Sequence, residues 1–238
     1  MRILLLLILT GFILAISPGD IVVNEMMWMG TSLSPYDEFI ELRNMTGDTI
    51  DFSESNLEFF QQDSLMFVID HGYLIPWGYY VISRREFVHS QLGEEPDLVN
   101  SGLYLPPTSA CISIICEGVL IDKASDCFGL MFSGRYSPGL VWRSMERSNP
   151  PGDGTVAENW HTGCLKRGWV VDSPERGTPG YQNYRNSLPL APEQIRLFNR
   201  NIGDDSTVYA EVIGTIDLDH LPKKVACYFE WIADGVVR

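Results

Sequence analysis

The clearest structural signal in this chain is the stretch Asp37-Glu38-Phe39-Ile40-Glu41-Leu42-Arg43-Asn44. Successive side chains of a β-strand point to opposite faces, so Ile40 and Leu42 share one face while Glu41 lies on the other. One aliphatic face beside one largely polar face predicts a half-buried strand that packs Ile40 and Leu42 against the core. Residues 44–48 then form a turn.

Short strands of this kind recur along the chain, and no segment after the N-terminal apolar run has the period of a helix. We expect further strands at 21–23, 49–52, 66–69, 73–75, 79–82, 112–116, 119–121, 195–197, 208–213 and 225–231. Tight turns predict hairpins at Asp70-His71-Gly72, at Glu117-Gly118 and at Asp234-Gly235. Residues 128–184 are rich in Gly, Pro and Trp and are expected to wrap the sheets as long ordered loops.

Six short motifs follow one another across about 160 residues. They are Ile21-Val22-Val23-Asn24-Glu25, the stretch 37–44, Ile50-Asp51-Phe52-Ser53, Ser144-Met145-Glu146-Arg147, Glu158-Asn159-Trp160 and Gly177-Thr178-Pro179-Gly180-Tyr181-Gln182-Asn183. Together they resemble the motifs of the lamin-tail domain family in its secreted bacterial form. The resemblance implies an all-β fold, an immunoglobulin-like β-sandwich with Trp160 in its core and no catalytic residues of its own. Glu54-Ser55-Asn56 departs from the family pattern, so packing around Phe52 is expected to differ.

The chain is expected to contain two β domains after a leader. Residues 18–186 are predicted to form the lamin-tail-like sandwich, and residues 187–238 a partial immunoglobulin-like domain. Residues 186–192 contain proline and no charge, which favours a linker. Because such a sandwich needs about 80 to 100 residues, we expect the chain to stop inside its second domain. The alternative is that this segment docks onto the first domain and is complete.

The N-terminus predicts export. Met1-Arg2 precedes an apolar run that is shorter than the ~20 residues of a membrane-spanning helix. We therefore interpret residues 1–17 as a signal peptide that is cleaved near Ser17, which makes the protein secreted or attached to the cell surface. An uncleaved membrane anchor is the alternative.

The five cysteines fit no zinc-binding spacing, so they predict either disulfides or buried thiols. They are Cys111, Cys116, Cys127, Cys164 and Cys227. Cys111 and Cys116 lie five apart on one strand, so their side chains leave on opposite faces and do not pair. Any disulfide is expected to join one of these two to Cys127 or Cys164.

Charge and motif content exclude several functions. A net charge of −14 excludes nucleic acid as a partner, because phosphate binding depends on clustered Lys and Arg. None of the four histidines lies in a nucleophile motif, and we predict no enzymatic activity and no cofactor. They are His71, His89, His161 and His220.

The carboxylates near the first two strands are the strongest polar candidates. We expect four of these polar residues to accept backbone hydrogen bonds and to pair with arginines such as Arg43. They are Asn24, Glu25, Glu38 and Glu41. The alternative is a calcium site formed by Asp37, Glu38 and Asp153. Glu38 and Glu41 lie three apart, on opposite faces of the strand.

Aromatic loop residues allow a second alternative, a carbohydrate platform. The tryptophans in loops or at strand ends are Trp28, Trp77, Trp142, Trp160 and Trp169. Asn44-Met45-Thr46 has the form of a glycosylation sequon but is expected to be only a turn.

Taken together, the sequence predicts a non-catalytic binding or structural module at the cell surface or outside the cell. Its expected partners are proteins or cell-surface components, with membrane contact only through the signal peptide. The alternative is a carbohydrate- or calcium-binding accessory module of a secreted hydrolase.

Overall fold

The computed structural model of the protein describes residues 16–106, 108, 111–137, 141–183, 190–202, 205–216, 232–233 and 236–237. Over these residues the fold is all-β, as the strand pattern of the sequence predicts. The helical segments described are two short 3-10 turns, Phe87–His89 and Ala157–Asn159. No described helix is long and apolar enough to cross a lipid bilayer. Residues 1–15, most of the predicted signal peptide, lie outside the described residues.

Six strands form the larger of the two main sheets. In spatial order they are Trp160–Thr162 (β14), Met145–Arg147 (β13), Ile21–Met27 (β1), Phe39–Asn44 (β2), Tyr79–Ser83 (β7) and Leu98–Val99 (β8). Neighbouring strands are antiparallel except for β7 and β8, which are parallel. The pairing of β1 with β13 joins parts of the chain that are far apart in sequence.

The second main sheet has four strands. In spatial order they are Val119–Ala124 (β10), Ile112–Cys116 (β9), Leu57–Gln61 (β4) and Ser64–Ile69 (β5). Four smaller pairs complete the described strands. They are Ile50–Asp51 (β3) with Tyr73–Leu74 (β6), Arg135–Ser137 (β11) with Val141–Arg143 (β12), Leu190–Ile202 (β15) with Asp205–Ile216 (β16), and Ile232–Ala233 (β17) with Val236–Val237 (β18).

The two main sheets share one apolar core, an arrangement consistent with a β-sandwich. Its buried side chains come from both sheets and include Ile40, Leu42, Ile82, Trp160, Leu57, Phe59, Phe67, Ile112 and Ile114. Burying this apolar surface, at about 25 cal/mol per Å², is the main force that holds the sheets together. Trp160 is in the core as expected, and Phe52 is buried against the ring of Tyr80, with centroids 5.2 Å apart.

A second layer covers the outer face of the six-stranded sheet. Leu92 and Trp169, from two loops, pack on Met27, Phe39 and Val81 to form a second apolar cluster. Strand β2 is therefore buried on both faces, and the prediction of a half-buried strand is wrong. The covering residues are distant in sequence, so the local alternation does not reveal them.

The hairpin predicted at Glu117-Gly118 is confirmed, and the hairpin predicted at Asp70-His71-Gly72 is wrong. Glu117 and Gly118 connect β9 to β10 with φ angles of 49° and 77°, the left-handed conformation that a tight hairpin turn requires. The segments 66–69 and 73–75 do not pair with each other. Instead β5 pairs with β4 through a turn at Gln62, and β6 pairs with β3.

The segment 128–184 contains more regular structure than expected. It supplies β11, β12, β13 and β14, and two of these belong to the larger sheet. The prediction of long loops is therefore wrong for these strands. Short strands of three residues carry too little alternation for recognition from sequence, and their pairing with β1 and with each other stabilises them.

The described residues of the C-terminal part form two antiparallel strand pairs. The expected strands 195–197 and 208–213 fall within β15 and β16, and β17 with β18 form the hairpin predicted around residues 234–235. Residues 190–192, which we expected in a linker, begin β15. The expected strand 225–231 lies outside the described residues.

The cysteine prediction is confirmed. Cys111 forms a disulfide with Cys127, and their Cα atoms are 4.5 Å apart. Cys116 and Cys164 are buried, and Cys227 lies outside the described residues.

Candidate functional site

Four titratable side chains lie directly opposite one another across four neighbouring strands of the larger sheet. Glu41 on β2 faces Glu25 on β1, Glu25 faces Glu146 on β13, and Glu146 faces His161 on β14. We call these four residues the carboxyl row. All four are buried, and each of the three glutamates is completely inaccessible to solvent. Directly opposed side chains have Cβ atoms about 5 Å apart, so three ionised glutamates here would repel one another strongly.

A β-bulge places the row on the outer face of the sheet. The register of β1 against β2 shifts between Val23 and Glu25, which leaves Asn24 as the extra residue. Asn24 and Glu25 consequently both reach groups on the outer face. Asn24 donates to Glu41 at 2.6 Å, and Glu25 accepts from Thr178 at 3.0 Å.

Residues 177–183, which we call the strap, cover the row. The backbone N–H of Thr178 donates to both carboxyl oxygens of Glu25, and that of Gly180 donates to Glu41 at 2.5 Å. Gly177 is essential to this approach, because it has φ +148° and a Cβ there would overlap the Glu25 carboxyl and the Ser144 hydroxyl. The strap therefore reaches the glutamates through its backbone.

Asn183 anchors the C-terminal end of the strap through hydrogen bonds. Its side-chain amide donates to the carbonyls of Asn24 and Arg147, both at 2.8 Å. Its carbonyl accepts from the Asn24 side chain at 3.0 Å. The Oδ1 atom of Asn24 is buried and has no hydrogen-bond donor among the described residues.

The Thr178 hydroxyl group has more oxygen acceptors around it than it has protons to donate. Its single hydroxyl proton is surrounded by Glu25 Oε2 at 3.0 Å, Asn183 Oδ1 at 3.1 Å and Glu146 Oε1 at 3.3 Å. A hydroxyl donates one hydrogen bond, so this packing of oxygens favours a proton on at least one carboxyl group. Desolvation by burial acts in the same direction.

Burial raises the pKa of Glu25 from 4.5 to about 7, although hydrogen bonds from Ser144 and Thr178 oppose the shift. The pKa of Glu41 is raised well above its usual value, first by burial and then by the charge of Glu25. Both shifts mean that the folded protein binds protons that an unfolded chain would release at neutral pH. At neutral pH the carboxyl row therefore binds more protons in the folded protein than the same side chains bind in an unfolded chain.

The two carboxylates that directly precede β2 have separate partners. Glu38 pairs with Arg84 at 2.6 Å, and burial raises the pKa of Glu38 to about 7. Asp37 accepts from Thr31 at 2.5 Å and from the N–H of Gln91 at 2.9 Å. The predicted pairing with an arginine is therefore confirmed for Glu38, but Arg43, the arginine expected as an example, donates to Asn149 instead.

The predicted calcium ligands are not assembled. Asp37 and Glu38 are buried and already engaged, while Asp153 is exposed in a turn and accepts from Thr155. Within the described ranges, no three Asp, Glu, His or Cys side chains are arranged to hold a metal ion. The sequence spacing did not indicate that the Asp153 turn and the Asp37-Glu38 segment are not brought together.

The histidines have separate surroundings. His71 is exposed and contacts Asp70 at 2.6 Å. His161 is buried, with Nδ1 3.6 Å from Glu146. His89 ends a 3-10 turn at the surface, and His220 lies outside the described residues.

A second candidate site is an aromatic surface around the loop that follows β1. We define the aromatic surface as the exposed residues Leu33, Tyr36, Tyr104 and Tyr136 with the half-buried Trp142 and Arg84. The Arg84 guanidinium lies 5.0 Å from the ring centroid of Tyr36 and 5.8 Å from that of Tyr104. The rings of Tyr136 and Trp142 are in contact, with centroids 5.0 Å apart.

A cavity of about 310 Å³ opens within this surface. Its walls are Met29, Thr31, Ser32, Leu33, Ser34, Pro35, Tyr136 and Trp142. The loop that forms one wall is held rigidly, because Thr31 bonds both Ser34 and Asp37 and because the Ser32 N–H donates to the buried Glu175 at 2.6 Å. A preformed concave site beside exposed aromatic rings is typical of binding surfaces.

Most of the tryptophans do not belong to this surface. Trp160 and Trp169 are buried, Trp28 donates to the carbonyl of Ser133 at 2.9 Å, and Trp77 is 57% exposed in the β6–β7 turn. Only Trp142 among the five loop or strand-end tryptophans lines the cavity. The tyrosines that join it were not singled out from sequence.

The formal sequon is a turn, as expected. Asn44 is fully buried, and its side-chain amide donates to the carbonyls of Asp48, Leu74 and Ile75. An amide that is enclosed in this way is inaccessible to a glycosyl transferase.

The sequence indicated some of the carboxyl row and missed the rest. Glu25 and Glu41 were expected to accept backbone hydrogen bonds, and this is confirmed. Glu146 and Thr178 were quoted only as parts of motifs. The order of these motifs along the chain was the sign that Glu146 and Thr178 belong to one site, because residues of motifs that occur together at long sequence separation often contact each other in the fold.

No protein-family model matches this chain, and no curated protein matches it.

Proposed function

We propose that the protein is a non-catalytic binding module, secreted or displayed at the cell surface, that contacts a partner protein through the aromatic surface. The observation that carries this proposal is a preformed cavity walled by Tyr136 and Trp142, with the exposed Tyr36 directly after its wall residue Pro35. The exposed Tyr104 shares the Arg84 guanidinium with Tyr36. Tyr, Trp and Arg are the residues that contribute most to protein–protein binding energy. Their clustering on one face is unusual for a surface without a partner.

The proposal includes a lamin-tail-like domain of immunoglobulin type over residues 18–186. The order of the six motifs supports it, and so does the meeting of several of them in one place. Asn24, Glu25 and Glu41 contact Thr178, Gly180 and Asn183 across as many as 159 residues of sequence. The disulfide between Cys111 and Cys127 supports an oxidising compartment outside the cytosol.

A protein partner is favoured over a glycan because the two carboxylates that contact the cavity wall or the aromatic surface already have hydrogen-bond partners. Sugar binding combines an aromatic face with carboxylate or amide side chains that are free to bond hydroxyl groups. Here Asp37 is engaged by Thr31 and Gln91, and Glu38 by Arg84. The exposed apolar residue Leu33 adds surface that a protein side chain can cover.

Site-specific photo-crosslinking tests this proposal. A photoreactive phenylalanine analogue replaces Tyr36, Tyr104 or Tyr136, and the protein is incubated with an envelope and secretome extract of its source. We expect all three positions to crosslink the same protein, identified by mass spectrometry. Tyr73 on β6 is the matched control, because it is 66% exposed but lies outside the aromatic surface.

Equal crosslinking from Tyr73 and from the three test positions would contradict the proposed surface. A glycan array gives the other decisive outcome. Specific glycan binding that is lost in Tyr136→Ala, without a crosslinked protein, would favour the carbohydrate-binding alternative.

A further inference from the structure

We propose that the carboxyl row is a proton-operated latch, which holds the strap on the sheet while protons are shared among its glutamates and releases it when they are lost. This inference is independent of the partner that the aromatic surface binds. It starts from the geometry of the row, in which Glu41, Glu25 and Glu146 occupy directly opposed positions on adjacent strands.

The hydrogen bonds of the strap require a particular protonation state. Thr178 offers one hydroxyl proton to three oxygen atoms within 3.0–3.3 Å, and two of these belong to Glu25 and Glu146. A carboxyl proton completes this arrangement, because it makes one of the facing oxygens a donor. The undonated Oδ1 of Asn24, which is buried, supplies one more acceptor inside the same cluster.

Three other charged groups lie near the row among the described contacts. His161 lies at the end of the row on β14, and if protonated it would offset the charge of Glu146. Arg43 and Arg167 lie near Tyr79 of β7, but Arg43 donates to Asn149 and Arg167 covers the ring of Tyr181 at 3.9 Å. Losing the His161 proton at higher pH would increase the net negative charge, so it acts in the same direction as ionisation of the glutamates.

Ionisation has a defined structural consequence. Three adjacent negative charges under a desolvating cover are unfavourable, and lifting the strap admits water to them. Pro179 and Gly180 of the strap also line a cavity of about 280 Å³ beside Glu94 and Glu95. Release of the strap would therefore open this cavity as well as the row.

Hydrogen exchange measured by mass spectrometry from pH 5.5 to 8.5 tests the latch on the full chain. After correction for intrinsic exchange, we expect protection of the Thr178 and Gly180 amides to fall as the pH rises. The opening equilibrium should increase up to about tenfold per pH unit for each proton released. Amides of the β9–β10 hairpin serve as the internal reference, because they report global unfolding. Their protection should fall less with pH than that of the strap amides.

Glu25→Gln and Glu146→Gln each replace one carboxyl group of the row with an amide of similar shape, which keeps a hydrogen-bonding side chain. Both variants should hold the strap closed to a higher pH, with protection at pH 8.5 about tenfold or more above wild type. Glu58→Gln on β4 of the other sheet is the matched control and should follow the wild type. The wild-type profile decides the question even if one variant fails to fold.

Protection of the strap that does not change with pH would overturn the latch. So would identical profiles for wild type and both row variants. Restoration of strap protection at pH 8.5 by calcium chloride, reversed by a chelator, would also overturn it, because the row would then hold a cation in place of protons.

Discussion

The buried ion pair between Arg147 and Asp122 allows a quantitative test of how the two main sheets are joined. Arg147 lies on β13 of the larger sheet and Asp122 on β10 of the smaller one. Their side chains are 3% and 9% exposed, and they form two hydrogen bonds of 2.6 and 3.1 Å. Asp122 also accepts from the N–H of Val23, and Arg147 donates to the carbonyls of Val23 and Gly152.

We expect Asp122→Ala to lower the free energy of unfolding by about 3 to 5 kcal/mol. Two charge-assisted hydrogen bonds are each worth about 1.5 to 3 kcal/mol, and the guanidinium left behind is a buried charge without its partner. For a domain whose total stability is about 5 to 15 kcal/mol, this is a large share. The corresponding fall in Tm is about 10 °C.

Urea unfolding followed by tryptophan fluorescence measures the effect, because Trp160 lies 5.5 Å from the Arg147 guanidinium. Asp70→Ala is the control, since it removes a pair with His71 that is fully exposed and screened by solvent, and its midpoint should equal that of wild type. A double-mutant cycle with Arg147→Leu should give a coupling energy of at least about 2 kcal/mol. A loss below about 1 kcal/mol in Asp122→Ala would refute the reasoning.

Three further predictions concern the leader, the disulfide and the pH dependence of stability. Mass spectrometry of exported protein should find cleavage near Ser17, and a mature chain that still begins at residue 1 in a membrane fraction would contradict this. Peptide mapping without reductant should recover Cys111 bonded to Cys127. Replacing both cysteines with serine should lower the free energy of unfolding by about 3 kcal/mol, the value for a loop of this length. An unchanged urea midpoint in this variant would count against the prediction. The pKa values of Glu25 and Glu38 rise from 4.5 to about 7 on folding, so their contribution is complete below pH 4.5 and is lost as the pH rises through 7. Stability should therefore fall between about pH 5 and 8, by roughly 3 kcal/mol for Glu25 alone, and urea midpoints that rise over this range would disprove it.

Local signals in the sequence were reliable where the neighbouring residues alone decide the conformation. The Glu117-Gly118 turn was predicted because two residues with positive φ suffice to close a hairpin, and the structure has this hairpin. The turn at Gln62 carries no glycine and was missed, so the next two strands were paired wrongly. The three-residue strands β13 and β14 were missed for a related reason, because their stability comes from pairing with distant partners.

The carboxyl row could not be predicted from any short segment of the sequence. Glu25 and Thr178 are 153 positions apart, yet their hydrogen bond explains why a glutamate is buried on an outer sheet face. The motif order suggested that these segments belong together. It did not reveal that Glu41, Glu25 and Glu146 are directly opposed, because register is set by pairing across strands and by the bulge at Asn24.

The sequence by itself determined the strand periodicity, the all-β class and the allowed partners of Cys111, because each follows from the alternation of side chains along a single strand. The tertiary structure alone decided which strand faces are covered. Alternation distinguishes the two faces of β2, but it does not record that Leu92, Trp169 and the strap lie over the outer one. Burial depends on what packs against a face, so the raised pKa values of Glu25 and Glu41 are a property of the assembled fold.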